Sequence, residues 1–410
     1  MQTQLPDNAA NEADAKVAAG LISRCVHCGF CNATCPTYQL LGDERDGPRG
    51  RIYLIKQMLE GNAPTARTQQ HLDRCLTCRA CETTCPSGVE YGRLVEIGRS
   101  VLAQRAPRPW HERLLRRALA GFLSGRGFAP ALRVGRWLRP VLPAALAMRI
   151  PQRYPAGAWP MQRQPRRVLL LAGCVQPALA PNINAATARV LDALGIEVVV
   201  PPSAVCCGAI AQHLDQQEKS SQQARRNIDA WWPLLESGAE AIVFNATGCG
   251  TQLREYGWLL RDDPQYAQKA ARVTALARDV SELLIDRLPR LQSIARRTEP
   301  QRVAYHAPCS QQHGLKMRGG VESLLTALGA QLQKVPDAHL CCGSAGTYSL
   351  LQPRLSNRLR ENKLRALQSG EPELILSANI GCIHHLDGAS AVPVRHWIEW
   401  LDTRLGPDRP

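Results

Sequence analysis

The sequence predicts a multidomain α+β chain: a small helical unit rich in cysteine, followed by two α/β units in tandem. Three observations carry this expectation. The 410 residues are enough for two or three domains, each with its own core. The sixteen cysteines divide into two sets of eight, one between residues 25 and 85 and the other from residue 174 onward. The second set also repeats itself: AVCCGAI, with Cys206 and Cys207, returns as HLCCGSAG, with Cys341 and Cys342.

The N-terminal set consists of CVHCGFCNATCP (Cys25, Cys28, Cys31, Cys35) and CLTCRACETTCP (Cys75, Cys78, Cys81, Cys85). Both read C-x2-C-x2-C-x3-C-P. In this pattern three thiolates wrap one corner of a [4Fe–4S] cubane, while the fourth, beside proline, reaches across to a second cluster. The expected ligands are Cys25, Cys28, Cys31 and Cys85 for cluster one, and Cys75, Cys78, Cys81 and Cys35 for cluster two. Zinc sites use pairs of C-x2-C rather than triplets with a trailing Cys-Pro. The 39 residues between Cys35 and Cys75 contain GPRGRIYLIKQMLEG, a helical pattern opened at Pro48 and closed at Gly61. That length favours an α-helical ferredoxin module, expected over residues 1–100, rather than a minimal bacterial ferredoxin.

Residues 101–165 read as a linker rich in arginine and proline, with short amphipathic helices. Between 101 and 168 stand 14 arginines, no lysine and one acid, Glu112, so +13 of the formal +15 lies in this segment. On a helical wheel WHERLLRRALAGFL puts Leu114, Leu115, Ala118, Leu119 and Phe122 on one face, with Arg113, Arg116 and Arg117 opposite. ALRVGRWLRPVL repeats the mixture with Arg133, Arg136, Trp137 and Arg139. Such helices suit the headgroup layer of a membrane or a partner subunit. Nucleic acid is not an expected partner, because no nucleic-acid-binding fold accompanies the arginines. No apolar run reaches 18 residues; the best, Val141 to Met148, is broken by Pro143.

From residue 166 the chain alternates strands and helices. RRVLLLAGC ends at Cys174, IEVVVP precedes Cys206-Cys207-Gly208, and AEAIVFNATGCG ends at Cys249. RVAYHAPC, QLQKVP and ELILSANIGC repeat the series at Cys309, Cys341-Cys342-Gly343 and Cys382. Continuous apolar strands of this kind belong to parallel sheets, whose ligands sit beyond the strands' carboxyl ends. The first α/β repeat is expected over 166–296 and the second over 297–410. Each gathers four thiols: Cys174, Cys206, Cys207 and Cys249 in one, Cys309, Cys341, Cys342 and Cys382 in the other. His306 and His384 stand near the second group as candidate proton carriers or additional ligands.

The N-terminus, MQTQLPDNAANEADAK, lacks a basic start and an apolar h-region. A reducing compartment is therefore expected, and with it metal ligation rather than disulfides. No G-x-G-x-x-G, P-loop or nucleophile elbow is found. A chain of one-electron carriers without a flavin or nicotinamide site needs a partner that takes two electrons from a substrate.

The C-x31-CCG-x~40-C pattern resembles the cysteine-rich CCG domains of the heterodisulfide reductase family, in which adjacent cysteines ligate different irons of one assembly. That family's fullest form ends in C-x-x-C. Here Ala246 and Asn379 stand at the extra cysteine's place, so the resemblance leaves open whether each site holds a further Fe–S cluster, another metal or none. Over nearly its whole length the chain resembles the iron–sulfur subunits of bacterial glycolate dehydrogenases (glycolate oxidases). The matching stretches are CVHCGFCNATCPTYQLLGDERDGPRGRIYLIKQ, HLDRCLTCRACETTCPSG, NIDAWWPLLESGAEAI, HLCCGSAGTYSL and ANIGC. The resemblance implies an oxidoreductase complex at the cytoplasmic face of the inner membrane, with a flavoprotein subunit, a second FAD-domain subunit and a quinone acceptor. Glycolate, and D-lactate in some cases, would be oxidised on the partner, and no catalytic residue is expected in this chain. Two alternatives remain: the iron–sulfur subunit of anaerobic glycerol-3-phosphate dehydrogenase, which shares both modules, and a thiol–disulfide enzyme working at a CCG site.

Overall fold

The structure is a computed structural model that describes every residue except 8–11, 144–146, 148–149, 152–154, 297 and 406–410. Much of the apolar run read at Val141 to Met148 thus lies outside the described residues. Among those described, no helix is long and apolar enough to cross a membrane.

The N-terminal unit is helical. Helices Ala13–Ser23, Pro48–Leu59, Ala66–Asp73 and Tyr91–Arg105 close around Ile22, Ile55, Met58, Leu72, Leu94 and Leu102, all fully buried. Proline opens the second of these helices at its first turn, where its missing N–H costs nothing. The 48–59 and 91–105 helices cross closely: a Cβ on Gly98 would stand 2.6 Å from Ile55 Cγ1.

Two four-stranded parallel sheets follow. The first comprises β1 (Arg166–Leu170), β2 (Ile196–Val199), β3 (Ile242–Phe244) and β4 (Ala277–Asp279), in the order 2-1-3-4. The second, β5 (Gln301–His306), β6 (Ala330–Leu332), β7 (Leu374–Ser377) and β8 (Val394–His396), has the equivalent order 6-5-7-8. The duplication read from the cysteine spacing is therefore a duplication of topology. The fourth strand of each sheet has no sequence signal, because ARD and VRH are three residues long and carry no apolar run. One core joins the repeats, running from Val168, Leu170 and Val243 to Val303, Ala304 and Leu376. The Arg189–Asp402 pair, at 2.6 Å, also ties the first repeat's Asn182–Asp192 helix to the C-terminal Trp397–Leu405 helix.

The arginine-rich segment forms helices Trp110–Ser124 and Phe128–Leu138. One part of the wheel reading is corrected. Arg116 is not on the solvent face: it is largely buried and pairs with Asp73 at 3.3 Å and Asp215 at 3.4 Å. Arg108 joins the same acids at 2.6 and 3.0 Å. The helix docks through Arg116 and Ala120, which turns Leu114, Leu115 and Phe122 outward beside exposed Arg113 and Arg117. Half-buried acids on the body, Asp73 and Asp215, invisible to a wheel drawn in isolation, select that orientation. Arg136 is likewise engaged, donating to the backbone carbonyls of Pro151 and Ala178.

Candidate functional site: two cysteine constellations in contact

None of the sixteen cysteines is in a disulfide. In the N-terminal unit both triplets use the same backbone device. The residue before the second cysteine and the one after it are left-handed: His27 (φ 57°) and Gly29 (φ 82°) in one triplet, Thr77 (φ 54°) and Arg79 (φ 59°) in the other. Two such turns within five residues aim three thiols at one point. For a side chain this conformation costs about 1–2 kcal/mol per residue. Arg79 is held there by Glu255 of the first α/β repeat, at 2.6 Å.

The triplets exchange their fourth thiols. Cys31 is pushed up to about 11 by burial and by the neighbouring Cys25, Cys85 and Cys28. Cys81 is pushed up by burial and by Cys78, Cys75 and Cys35. Cys85 thus lies near the Cys25, Cys28 and Cys31 thiols, and Cys35 near those of Cys75, Cys78 and Cys81.

Their surroundings differ. Cys28 is exposed, flanked by Val26 at 69% and Phe30 at 62% exposure, so the first set opens on the surface. The second set is deep. Buried Arg51 approaches Cys35 Sγ at 4.0 Å, and its Nε donates to the His71 carbonyl at 2.8 Å. Arg99 donates to the carbonyls of Leu72 and Cys75, and the Tyr91 hydroxyl reaches Cys75 Sγ at 3.7 Å. Burial opposes ionisation of Cys75, yet Arg51, Arg99, the Thr77 amide and Tyr91 hold its thiol below the ordinary range. Sequence reading missed these residues. The available signal was Arg51 itself, a cation on the inward face of a helix otherwise lined by Ile52, Ile55 and Met58.

In the α/β repeats the thiols gather beyond the strand ends. Cys309 follows β5, Cys341 and Cys342 follow β6, and Cys382 lies in the first turn of helix Ile380–Asp387 after β7. Cys309 and Cys341 stand 3.8 Å apart; the Gly343 amide donates to Cys341 Sγ, and Asn379 Nδ2 to Cys382 Sγ, each at 3.4 Å. Gly343 has φ 89°, and a Cβ there would meet the Ser356 carbonyl oxygen at 2.6 Å, which explains the glycine after each cysteine pair. The first repeat chains Cys174, Cys206, Cys207 and Cys249 in the same order. Contacts from Cys174 and Cys207 hold Cys206 well below the ordinary thiol range despite burial.

His306 ends β5 fully buried. Ser377 Oγ lies 2.9 Å from its Nδ1, and one ring nitrogen lies within 4.8 Å of the Cys342 and Cys382 sulfurs. Burial pushes its pKa down to about 3, so the ring is neutral. His384 is different. It lies two residues beyond Cys382, roughly 200° around the helix, and lines a cavity with Leu179, Ile183 and Trp400, away from the thiols. His385 is the one that approaches, against Ser356 Oγ at 3.2 Å and the Cys342 backbone.

The two constellations meet. Cys78 and Leu76 share one apolar cluster with Cys309, Cys341 and Tyr348. Cys78 is raised by burial and then by Cys309. Thr83 to His313 at 2.8 Å and Tyr348 to the Arg74 carbonyl at 3.2 Å seal that seam.

Both cysteine-bearing parts of the chain match families of known proteins. The 4Fe-4S dicluster domain family matches residues 21–89, and the Cysteine-rich domain family matches 168–254 and 303–387. The chain is 54% identical over 407 residues to the glycolate oxidase iron-sulfur subunit of Escherichia coli (strain K12), covering 99% of both. It is 32% identical over 406 residues to the probable glycolate oxidase iron-sulfur subunit of Bacillus subtilis (strain 168), covering 91% of this chain and 90% of that one. Lactate utilization protein A of the same organism is 26% identical over 244 residues, which are 58% of this chain and 100% of the relative. A hypothetical protein from Helicobacter pylori shares the fold, with a TM-score of 0.56 at 8% identity over 97% of this chain and 74% of that one. With both cysteine modules matched and more than half of all positions identical to a full-length relative, the chain belongs to the family of glycolate oxidase iron–sulfur subunits.

Proposed function

We propose that this chain carries electrons within an oxidoreductase complex that oxidises glycolate to glyoxylate on a flavin-bearing partner. Clusters bound at the two crossed thiol sets supply one-electron redox chemistry. Cys25, Cys28, Cys31 and Cys85 hold the first, near the surface, where exposed Val26 and Phe30 offer a flavoprotein an apolar landing point. Cys75, Cys78, Cys81 and Cys35 hold the second. The cysteines of the second α/β repeat stand next in line, and those of the first lie off the route. The Bacillus relatives named for lactate utilization support a 2-hydroxy acid range that extends to lactate.

The observation that carries this reading is the packing of Cys78 with Cys309 and Cys341 in one apolar cluster, which sets a ligand of the second cubane beside the thiols of the second α/β repeat. The outward Leu114, Phe122, Trp137 and Val141, bordered by Arg113, Arg117 and Arg133, fit a peripheral seat at the cytoplasmic face of the inner membrane, beside a quinone acceptor and a second FAD-domain subunit. The test is anaerobic reduction of the reconstituted complex by glycolate, followed by low-temperature EPR. Signals from two interacting [4Fe–4S]⁺ centres are expected. Clusters that stay oxidised while the partner's flavin is reduced would overturn the proposal.

A further inference from the structure

The two α/β repeats share topology and cysteine spacing but not the lining of their sites. Three residues before Cys174 stands Leu171; three residues before Cys309 stands His306. Five residues before Cys249 stands Phe244, and five before Cys382 stands Ser377. Leu171 and Phe244 are buried and apolar. At the same places the second repeat has an imidazole and a hydroxyl, 2.9 Å apart. A buried histidine whose Nδ1 is fixed by a hydroxyl presents the geometry in which an outer partner sets the ring orientation of a metal-binding imidazole. Its ring nitrogen, with the sulfurs of Cys342 and Cys382, forms a three-donor group within 4.8 Å, the one such group among the described residues that includes thiols.

We propose that His306 is an iron ligand in the second repeat, making that site a Cys4His centre of Cys309, Cys341, Cys342, Cys382 and imidazole. It rests on the reading that this repeat holds an Fe–S cluster. Asn379 stands where a further cysteine is absent, and its amide donates to Cys382 Sγ rather than supplying a thiolate. His306 reaches the same sulfurs from the carboxyl end of the neighbouring parallel strand β5 and provides the fifth donor. Five donors exceed the four of a structural zinc site and suit an assembly of several irons. Imidazole in place of thiolate removes a negative charge from the centre and raises its reduction potential. The centre beyond cluster two is thereby set to receive electrons rather than return them. The first repeat, with Leu171 and Phe244, has four donors and no such adjustment.

The experiment uses the full chain, purified anaerobically, with metal analysis and HYSCORE spectroscopy on protein grown with ¹⁴N- or ¹⁵N-histidine. Iron clearly above about eight per chain, with a strongly coupled nitrogen that changes on ¹⁵N-histidine labelling, is expected. His306→Cys should retain the iron, lose the nitrogen coupling and lower the centre's potential, whereas His384→Gln should change none of these. Iron above eight without a histidine coupling would overturn the ligand and leave the cluster standing. Iron of about eight, or stoichiometric zinc, would overturn both.

Discussion

Cys78 and Cys309 lie in one apolar cluster, 231 positions apart in the chain, and the Cys309 thiol helps push that of Cys78 up. This contact joins the helical unit to the second α/β repeat at the two residues where a cluster ligand of each is expected. It packs the modules against each other rather than leaving them two domains on a tether.

Cys35→Ser should damage cluster two and spare cluster one, because Cys35 crosses to the Cys75, Cys78 and Cys81 triplet. EPR of the reduced variant should retain the signal of the Cys25, Cys28, Cys31 and Cys85 centre. Loss of that signal alone would reverse the assignment.

Arg51 is a buried cation between the second thiol set and Asp46, whose carboxylate also takes His71 at 3.0 Å and Arg74 at 2.8 Å. Arg51→Leu should lower the potential of cluster two and cost on the order of 3–5 kcal/mol of stability, because an acid is left short of a buried partner. Arg51→Lys should keep most of the potential while losing the donation to the His71 carbonyl. A redox titration monitored by EPR, with a denaturation curve, separates the two effects.

The glycines of the two cysteine pairs differ in what crowds them. A Cβ at Gly343 meets a backbone oxygen at 2.6 Å; at Gly208 it meets the movable Ser220 Oγ at 2.7 Å. Both have positive φ, worth about 1 kcal/mol or more against alanine. Gly343→Ala should therefore be the more destabilising, by a further ~1–3 kcal/mol, and equal losses of stability would show the distinction to be unfounded.

The arginine helix gives a paired test. Arg113→Glu with Arg117→Glu should weaken binding to anionic vesicles by about 1 kcal/mol per residue and leave the fold intact. Arg116→Glu should instead loosen the fold, since it places an acid against Asp73 and Asp215. Sedimentation with vesicles and thermal unfolding, run on both variants, read the two outcomes.

His396 is fully buried, its Nε2 bonded to the Asn245 carbonyl at 2.7 Å, and burial pushes its pKa down to about 4. The folded ring stays neutral where the unfolded one protonates, near 6.5. Its contribution to stability is fully present above pH 6.5 and is lost as pH falls toward 4. Between pH 7.5 and 5.5 the loss should be roughly 1.4 kcal/mol. In His396→Gln the pH dependence of stability between the two pH values should be smaller than wild type by that amount, because other buried histidines such as His306 keep their own share.

Much of this architecture was legible because cysteines are placed by chemistry rather than by packing. The C-x2-C-x2-C-x3-C-P spacing implied crossed sets, and the matched intervals from Cys174 and Cys309 implied duplicated sheets. What stayed hidden depends on contacts between segments distant in sequence. Arg116 faces inward only because Asp73 and Asp215 are there. His384 and His385 are adjacent in sequence, and only the helix phase separates their environments. The seam between Cys78 and Cys309 has no local signature at all.

The most direct test of the route is a single turnover of the anaerobic complex with glycolate and quinone, comparing wild type with Cys341→Ser and Cys342→Ser. Flavin and both N-terminal clusters should be reduced in every case, while the quinone stays oxidised in the two variants. Quinone reduction at the wild-type rate in either variant would contradict an electron path through the second α/β repeat.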